Sequence, residues 1–349
     1  MEAPVDGCEL NATRTVRPSG NGYNQLRRAL PGEVNVRFRI VVLIAVCGLV
    51  ATLVAAEEGA GYAQGQAYAC GDRVVFLIDV AASRGGEAKK LWQWTAAESP
   101  QIRAEDRDRF RATDDCKPVR GGAAVLVCSS TSGGVALIRR ADKACLFYAQ
   151  TTNAHSADLI GDDLLAVALS NKGDELRIYR MDGQVTPAKE AAWKMPLAGG
   201  HGVVWDAKRE ALWVMGSKEL LKLKLKRGTE ISGEVVARWM LAEGSGHDLF
   251  PWDQKRLGVT TEHTASLFDV EKETFELMPG MQNISNIKSV SRDAQGGKVL
   301  YTQGEPTFTK SVRFVDGEPI GIGEIKGYKA RWNGANAFVL NVEPNKQKP

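Results

Sequence analysis

Apolar and polar positions alternate along most of the chain in short runs separated by turn-forming residues. Leu220-Leu221-Lys222-Leu223-Lys224-Leu225 puts apolar and charged side chains on opposite faces, as a half-exposed strand does. After His155 the pattern predicts strands near 156–160, 164–170, 175–181 and 192–197. After His201 it predicts the same order at 203–205, 211–215, 220–225 and 234–241. Asp162-Asp163, Lys172-Gly173-Asp174 and Arg227-Gly228 supply the polar turns between them.

These four-strand units repeat. His155, His201 and His247 stand in related contexts, 46 residues apart twice, and lysine takes the same place at Lys117, Lys288 and Lys329. Successive steps of 38, 46, 46, 41 and 41 residues match the length of a propeller blade. Blade four is expected over 247–279 and blade five over 288–325. Near the C-terminus, 329–332 reads as an innermost strand without followers, while 68–70, 73–79 and 90–94 read as later strands without a first. Pairing both chain ends closes an all-β six-bladed propeller and removes the open sheet edges. Residues 338–342 offer an alternative second strand for that closing blade. Tryptophans recur at strand positions and are expected as wedges between blades, with a sugar-stacking platform as the alternative for one or two exposed members, and the charged segment 99–111 as a short helix or loop with a solvated face.

Composition narrows the function classes. A formal net charge of +3 does not suggest a nucleic-acid partner, and 36 glycines suit many tight turns. Ahead of the repeats, residues 40–54 form a 15-residue run without a charge, preceded by Arg37 and Arg39. That is short of the roughly 20 residues of a membrane span and suits a signal peptide over 36–56, with 1–35 as a leader outside the native protein. The mature propeller, 64–349, is then expected in the periplasm or secreted, as a monomer with no stable membrane partner. A retained anchor and a buried apolar segment are the alternatives. Cys70, Cys116, Cys128 and Cys145 have no zinc-knuckle spacing, and read as buried small side chains or as disulfide partners.

In a propeller the first residue of each inner strand can face the axial funnel, so His155, His201 and His247 would form one half-ring and Lys117, Lys288 and Lys329 the other. Three imidazoles with open positions suit a divalent metal of undetermined identity. Direct contact with an anionic ligand and hydrogen bonding across the funnel are the other readings. Three lysines facing one another call for an anionic guest, a small molecule or polysaccharide, with Arg331 and Arg313 as further contacts. The second strand of each blade returns to the funnel and brings Ser129, Ser130, Ser170, Asn171, Ser217, Gln303 and the pair Glu262 and His263 near the ring. Glu262 or His263 is the candidate catalytic base or acid. Asp114 and Asp115 are placed to pair with the lysines, to supply a carboxylate ligand or to cap a turn. No GxGxxG, P-loop, HExxH or GxSxG motif occurs.

The segments DRFRATDDCKPV (108–119), TSGGVALI (131–138), NAHSADL, GHGVVWD, GHDL, IKSVS and YKARW together resemble a bacterial propeller family of unknown function found in exported proteins. The resemblance spans residues 68–332 and implies a propeller and secretion, with no chemistry attached. At the level of the site alone, the axial histidines are similar to those of propeller-fold lyases acting on uronate-containing polysaccharides, where histidines hold a divalent metal. The function expected is therefore an exported propeller binding an anionic ligand, a carbohydrate above others, as a lyase or hydrolase or as a non-catalytic binding module.

Overall fold

In the computed structural model, which describes residues 61–83, 86–183, 185 and 187–339, six sheets stand around one axis, antiparallel except where Pro187–Ala188 adds parallel to Cys145–Gln150. The inner strands, in order, are Thr113–Val119, Ala154–Ile160, Gly202–Asp206, Gly246–Pro251, Ile287–Arg292 and Gly327–Trp332. Each begins a sheet whose later strands follow in chain order toward the rim, except the last. There Gly327–Trp332 pairs with the N-terminal Gln66–Gly71, and Val74–Asp79 and Lys89–Trp94 complete the blade. The closure expected from the sequence is present. At its seam Gly71 admits no side chain, because a Cβ there would lie 2.4 Å from the Lys326 carbonyl oxygen.

The alternative second strand at 338–342 is not used. Phe338 is buried between blades three and four, where its carbonyl accepts from the Ala207 N–H at 3.1 Å, and residues 340–342 lie outside the described residues. The leader, the signal peptide and the apolar run also lie outside them. Among the described residues no helix is long and apolar enough to cross a membrane.

Burial explains the strand patterns. Inner and second strands are covered on both faces; second strands such as Ala124–Ser129 and Leu164–Leu169 read as near-continuous apolar runs, whereas Ile231–Met240 at the rim alternates buried and open positions. Six apolar clusters fill the six seams between neighbouring blades, with Trp94, Trp205, Trp213 and Trp332 among them, as the wedge reading expects. The four described cysteines are buried and unpaired. Segment 99–111 is 3₁₀ turns rather than a loop with a solvated face throughout: Asp106 is buried and receives Arg103, Arg109, Tyr148 and Gln150.

A propeller has a second edge problem. Each inner strand ends its sheet, so the N–H and C=O groups on its axial edge have no strand to pair with and need other partners. Here polar side chains of neighbouring inner strands supply them. Ser156 Oγ accepts from Val203 N–H, Asp158 from Trp205, Asp248 from Val290, Ser289 from Ala330 and Ser291 from Trp332. Cations satisfy the carbonyls: Lys117 donates to Val203 O at 2.7 Å, Lys329 to His155 O and His201 O, and Arg331 to Val290 O. Ser291→Ala should therefore orphan a buried N–H and cost about 1–3 kcal/mol in a denaturant melt. A change of under roughly 0.5 kcal/mol, the usual surface value, would mean that these straps do not hold the blades.

Candidate functional site

The ring that the structure builds differs in register from the one read from the sequence. Where inner strands pair with their second strands, the ladder slips by one residue at Asp114, His155, His247 and Lys288, and at 328–329 in the closing blade. A bulge leaves an extra residue unpaired and re-aims the side chains beside it. The equivalent residues are thus Asp114, His155, His201, His247, Lys288 and Tyr328, with steps of 41, 46, 46, 41 and 40. Lys117 lies three positions beyond the ring and Lys329 one.

A backbone mark accompanies this register. Asn153, Gly199, Ser245 and Asn286, each two residues before a ring residue, have φ of 57°, 57°, 50° and 56°. Glycine and asparagine are the residues most at ease there, so this recurring turn is the sequence signal that would have set the register.

Contacts run round the ring in chain order. His155 Nδ1 lies 3.0 Å from Asp114 Oδ2, the His155 and His201 rings are 4.3 Å apart, and His201 and His247 are 5.7 Å apart. Lys288 Nζ is 3.0 Å from His247 Nε2 and 6.0 Å from the centre of the Tyr328 ring, which lies 5.9 Å from His155. These contacts indicate the tautomers. The Gly199 carbonyl can only accept, so His201 Nδ1, 2.8 Å away, carries the proton. The Asp114 carboxylate favours the same form in His155. The Lys288 ammonium donates to His247 Nε2, which leaves His247 Nδ1 protonated, buried and without a partner among the described residues.

Burial sets the charges. It lowers the His201 imidazole well below its ordinary value, helped by His155, and takes His247 down to about 3, helped by Lys288 and Lys329. Both rings are neutral at pH 7. Burial also lowers Lys288, and pushes the Tyr328 hydroxyl well above the usual phenol range.

Beneath the ring the axis is filled by an ion-pair plug. Arg331 Nη1 and Nη2 hold Asp248 at 2.6 and 2.5 Å, and Arg331 Nε is 3.1 Å from Asp115. Lys329 lies 3.2 Å from Asp248 and 3.8 Å from Asp115, and Lys117 is 4.0 Å from Asp115. Burial alone would raise both carboxyls, but Arg331 and Lys329 outweigh it and hold them below the usual range. Three of the axial cations therefore have acids of the chain itself beside them, so their mutual repulsion does not require a guest. Asp248 was missing from the sequence reading. It follows His247 as Asp115 follows Asp114 and Ser156 follows His155, because the bulge turns two consecutive residues toward the axis.

The second strands do end on the ring side. Ser129 pairs with Thr113 and Gln303 with Ile287, and the Ser170 N–H bonds to Asn153. Glu262 and His263 occupy the turn after Arg256–Thr261 and are exposed; the Glu262 carbonyl accepts from Asn286 N–H, two residues before Lys288. Arg313 sits in the outer part of blade five and pairs with Glu305. Among the described residues no three His, Cys, Asp or Glu side chains form a cluster that could hold a metal ion.

The sequence model of a family of unknown function (DUF6528) matches residues 34–346. No curated protein matches the chain. Among solved structures, a chain of a nidogen/laminin complex is similar at 12% identity and a TM-score of 0.52, covering 76% of this chain and 97% of that one. A protein of unknown function from Bacteroides caccae is similar at 12% identity and a TM-score of 0.49, with the same coverage. At such identity the nidogen/laminin likeness speaks for the fold alone.

Proposed function

Because the chain belongs to the family DUF6528, whose description assigns no activity, we propose a function from the geometry: the ring end of the axis binds a small anionic ligand, with a carboxylated sugar as the first class to try. The observation that carries the proposal is Lys288. It is the one cation of the described axis with no carboxylate within ion-pair distance, and it stands beside the unpartnered N–H of His247. An ammonium with no carboxylate in ion-pair contact, beside an imidazole N–H without an acceptor, favours an anion. Glu262, over the same junction of blades four and five, and His263 beside it are the groups available as a base if the ligand is turned over. As an exported protein it would meet such ligands in the periplasm or outside the cell.

A second reading rests on the tautomers. With Nδ1 of His201 held by a carbonyl and a carboxylate oxygen 3.0 Å from that of His155, both Nε2 atoms keep free lone pairs, similar to the arrangement found behind metal-bound histidines. His155 and His201 with His247 would then be the donors to a divalent ion. The Lys288 ammonium on His247 Nε2 favours the anion reading instead.

The two readings differ in sign with pH. An anion draws protons onto His201 and His247, so affinity for galacturonate or its oligomers should rise by up to tenfold per pH unit for each proton taken up below about pH 6.5. Lys288→Met should weaken binding at least tenfold by calorimetry. A metal would be lost over the same acid range, since a protonated imidazole cannot be a ligand. Uronates that fail to bind at any pH, with a divalent ion retained near neutrality and released by acid, would replace the first reading with the second.

A further inference from the structure

At the opposite end of the axis, where the inner strands finish, lies a cavity of ≈ 790 Å³ that the ring reading does not use. Its walls include Tyr62, Pro118, Leu159, Trp205, Phe250 and Val339, and its floor includes Lys117 and Asp158. The ion-pair plug separates it from the histidine ring. Its volume and mostly apolar wall are those of a small-molecule site.

Asp158 is the residue that specifies the guest. The residue is 5% exposed, and its carboxylate accepts two backbone N–H groups, from Leu159 and Trp205, both at 2.9 Å. The strap to Trp205 does not need a charge. At the equivalent place in blade five a serine does the same work, Ser291 Oγ accepting from Trp332 N–H at 3.1 Å. Nor is the charge matched, because no Lys or Arg of the described residues lies within 4.0 Å of it. Lys117, the nearest candidate, is spent on Ser156 Oγ, Val203 O and Asp115. Burial accordingly raises the Asp158 carboxyl above its ordinary value.

We propose that this cavity is a binding site for a small organic cation, an amine or quaternary ammonium on an apolar body, with Asp158 as its counter-ion and Tyr62, Trp205 and Phe250 as its aromatic walls. A buried carboxylate with no cation in ion-pair contact, in a cavity lined in part by aromatic residues, is the chemistry that recognises such groups. Arg331 and Arg227 already lie over the Phe250 and Trp205 rings, 5.4 and 5.2 Å from their centres, so a guest would use the ring surface those two leave. The site is independent of the ring reading and stands or falls separately.

The test is calorimetric titration of the full chain with benzyltrimethylammonium chloride and, as a neutral probe of similar shape, benzyl alcohol. The cation should bind once per chain and at least about tenfold more tightly than the alcohol. Asp158→Ser keeps the strap and should abolish that preference while leaving the melting temperature close to wild type. Val339→Arg sits at the cavity mouth, away from the strap, and should weaken the cation more than the alcohol. Equal binding of both probes, a preference that survives Asp158→Ser, or no binding by either into the millimolar range would overturn the proposal. Binding that appears only after removal of residues 340–349 would overturn it too, by giving the cavity to the chain's own C-terminal segment.

Discussion

Arg331→Met should lower the stability of the propeller by about 3–5 kcal/mol, the usual consequence of removing one partner from a buried ionic network. Arg331 is the centre of the plug: it spans Asp248 and Asp115 and also satisfies Val290 O. Methionine fills similar space, so the loss is electrostatic, with two buried carboxylates short of donors. Arg331→Lys should fall between wild type and Arg331→Met, because an ammonium keeps the charge but cannot fork onto one aspartate while reaching the other. Adding Asp248→Asn to Arg331→Met should recover part of the loss, since the amide oxygen can still accept from Val290 N–H without an uncompensated charge. Chemical denaturation of the three variants checks this. An Arg331→Met protein as stable as wild type would show that the plug is not structural.

Acid should destabilise the protein in two stages, the first beginning near pH 6.5. His247 is held neutral by burial, with a folded-state value of about 3 against 6.5 when unfolded. His201 is shifted in the same direction. Between those values the unfolded chain binds protons that the folded chain refuses, so stability is greatest above pH 6.5 and falls as pH falls. For His247 alone the loss is on the order of 4 kcal/mol on reaching pH 3. Asp115 and Asp248 act in the same direction lower down: their folded values lie below the usual carboxylate range, so their contribution is lost as pH falls below about 4. His247→Gln, neutral at every pH, should shrink the first stage to the part that His201 contributes and leave the second. Melting curves from pH 7 to 4 that show no loss above pH 4.5 would contradict the burial of neutral imidazoles. A bound uronate should oppose the first stage, because it stabilises the protonated ring.

The register error shows how far periodicity carries. Histidine at 155, 201 and 247 defined the blade length correctly, because those three do occupy equivalent places. Lys117 and Lys329 were then matched to them by charge, although their places belong to Asp114 and Tyr328. The odd step of 38 residues was the warning, and the asparagine or glycine two residues ahead of His155, His201 and Lys288 was the remedy. A bulge cannot be read from alternation, since it breaks the period of two that alternation relies on. Lys117, Lys329 and Arg331, expected to greet a ligand, instead serve the free edges of the inner strands. Edge satisfaction and ligand binding draw on the same residue types, so sequence alone does not separate them.

What the sequence determined by itself was the architecture: four-strand units, six blades and closure through both chain ends, because strand alternation and repeat length are local properties of the chain. The three axial histidines were also legible, being scarce and evenly spaced. Only the tertiary structure decided which neighbours each axial group has. Asp248 meets Arg331 across 83 residues, Lys117 reaches Val203 across 86, and Asp158 lies in a cavity closed by Tyr62 and Val339 from opposite ends of the chain. Whether a buried charge is matched or left open for a guest depends on distances of a few ångströms between such remote residues, and no local pattern encodes those.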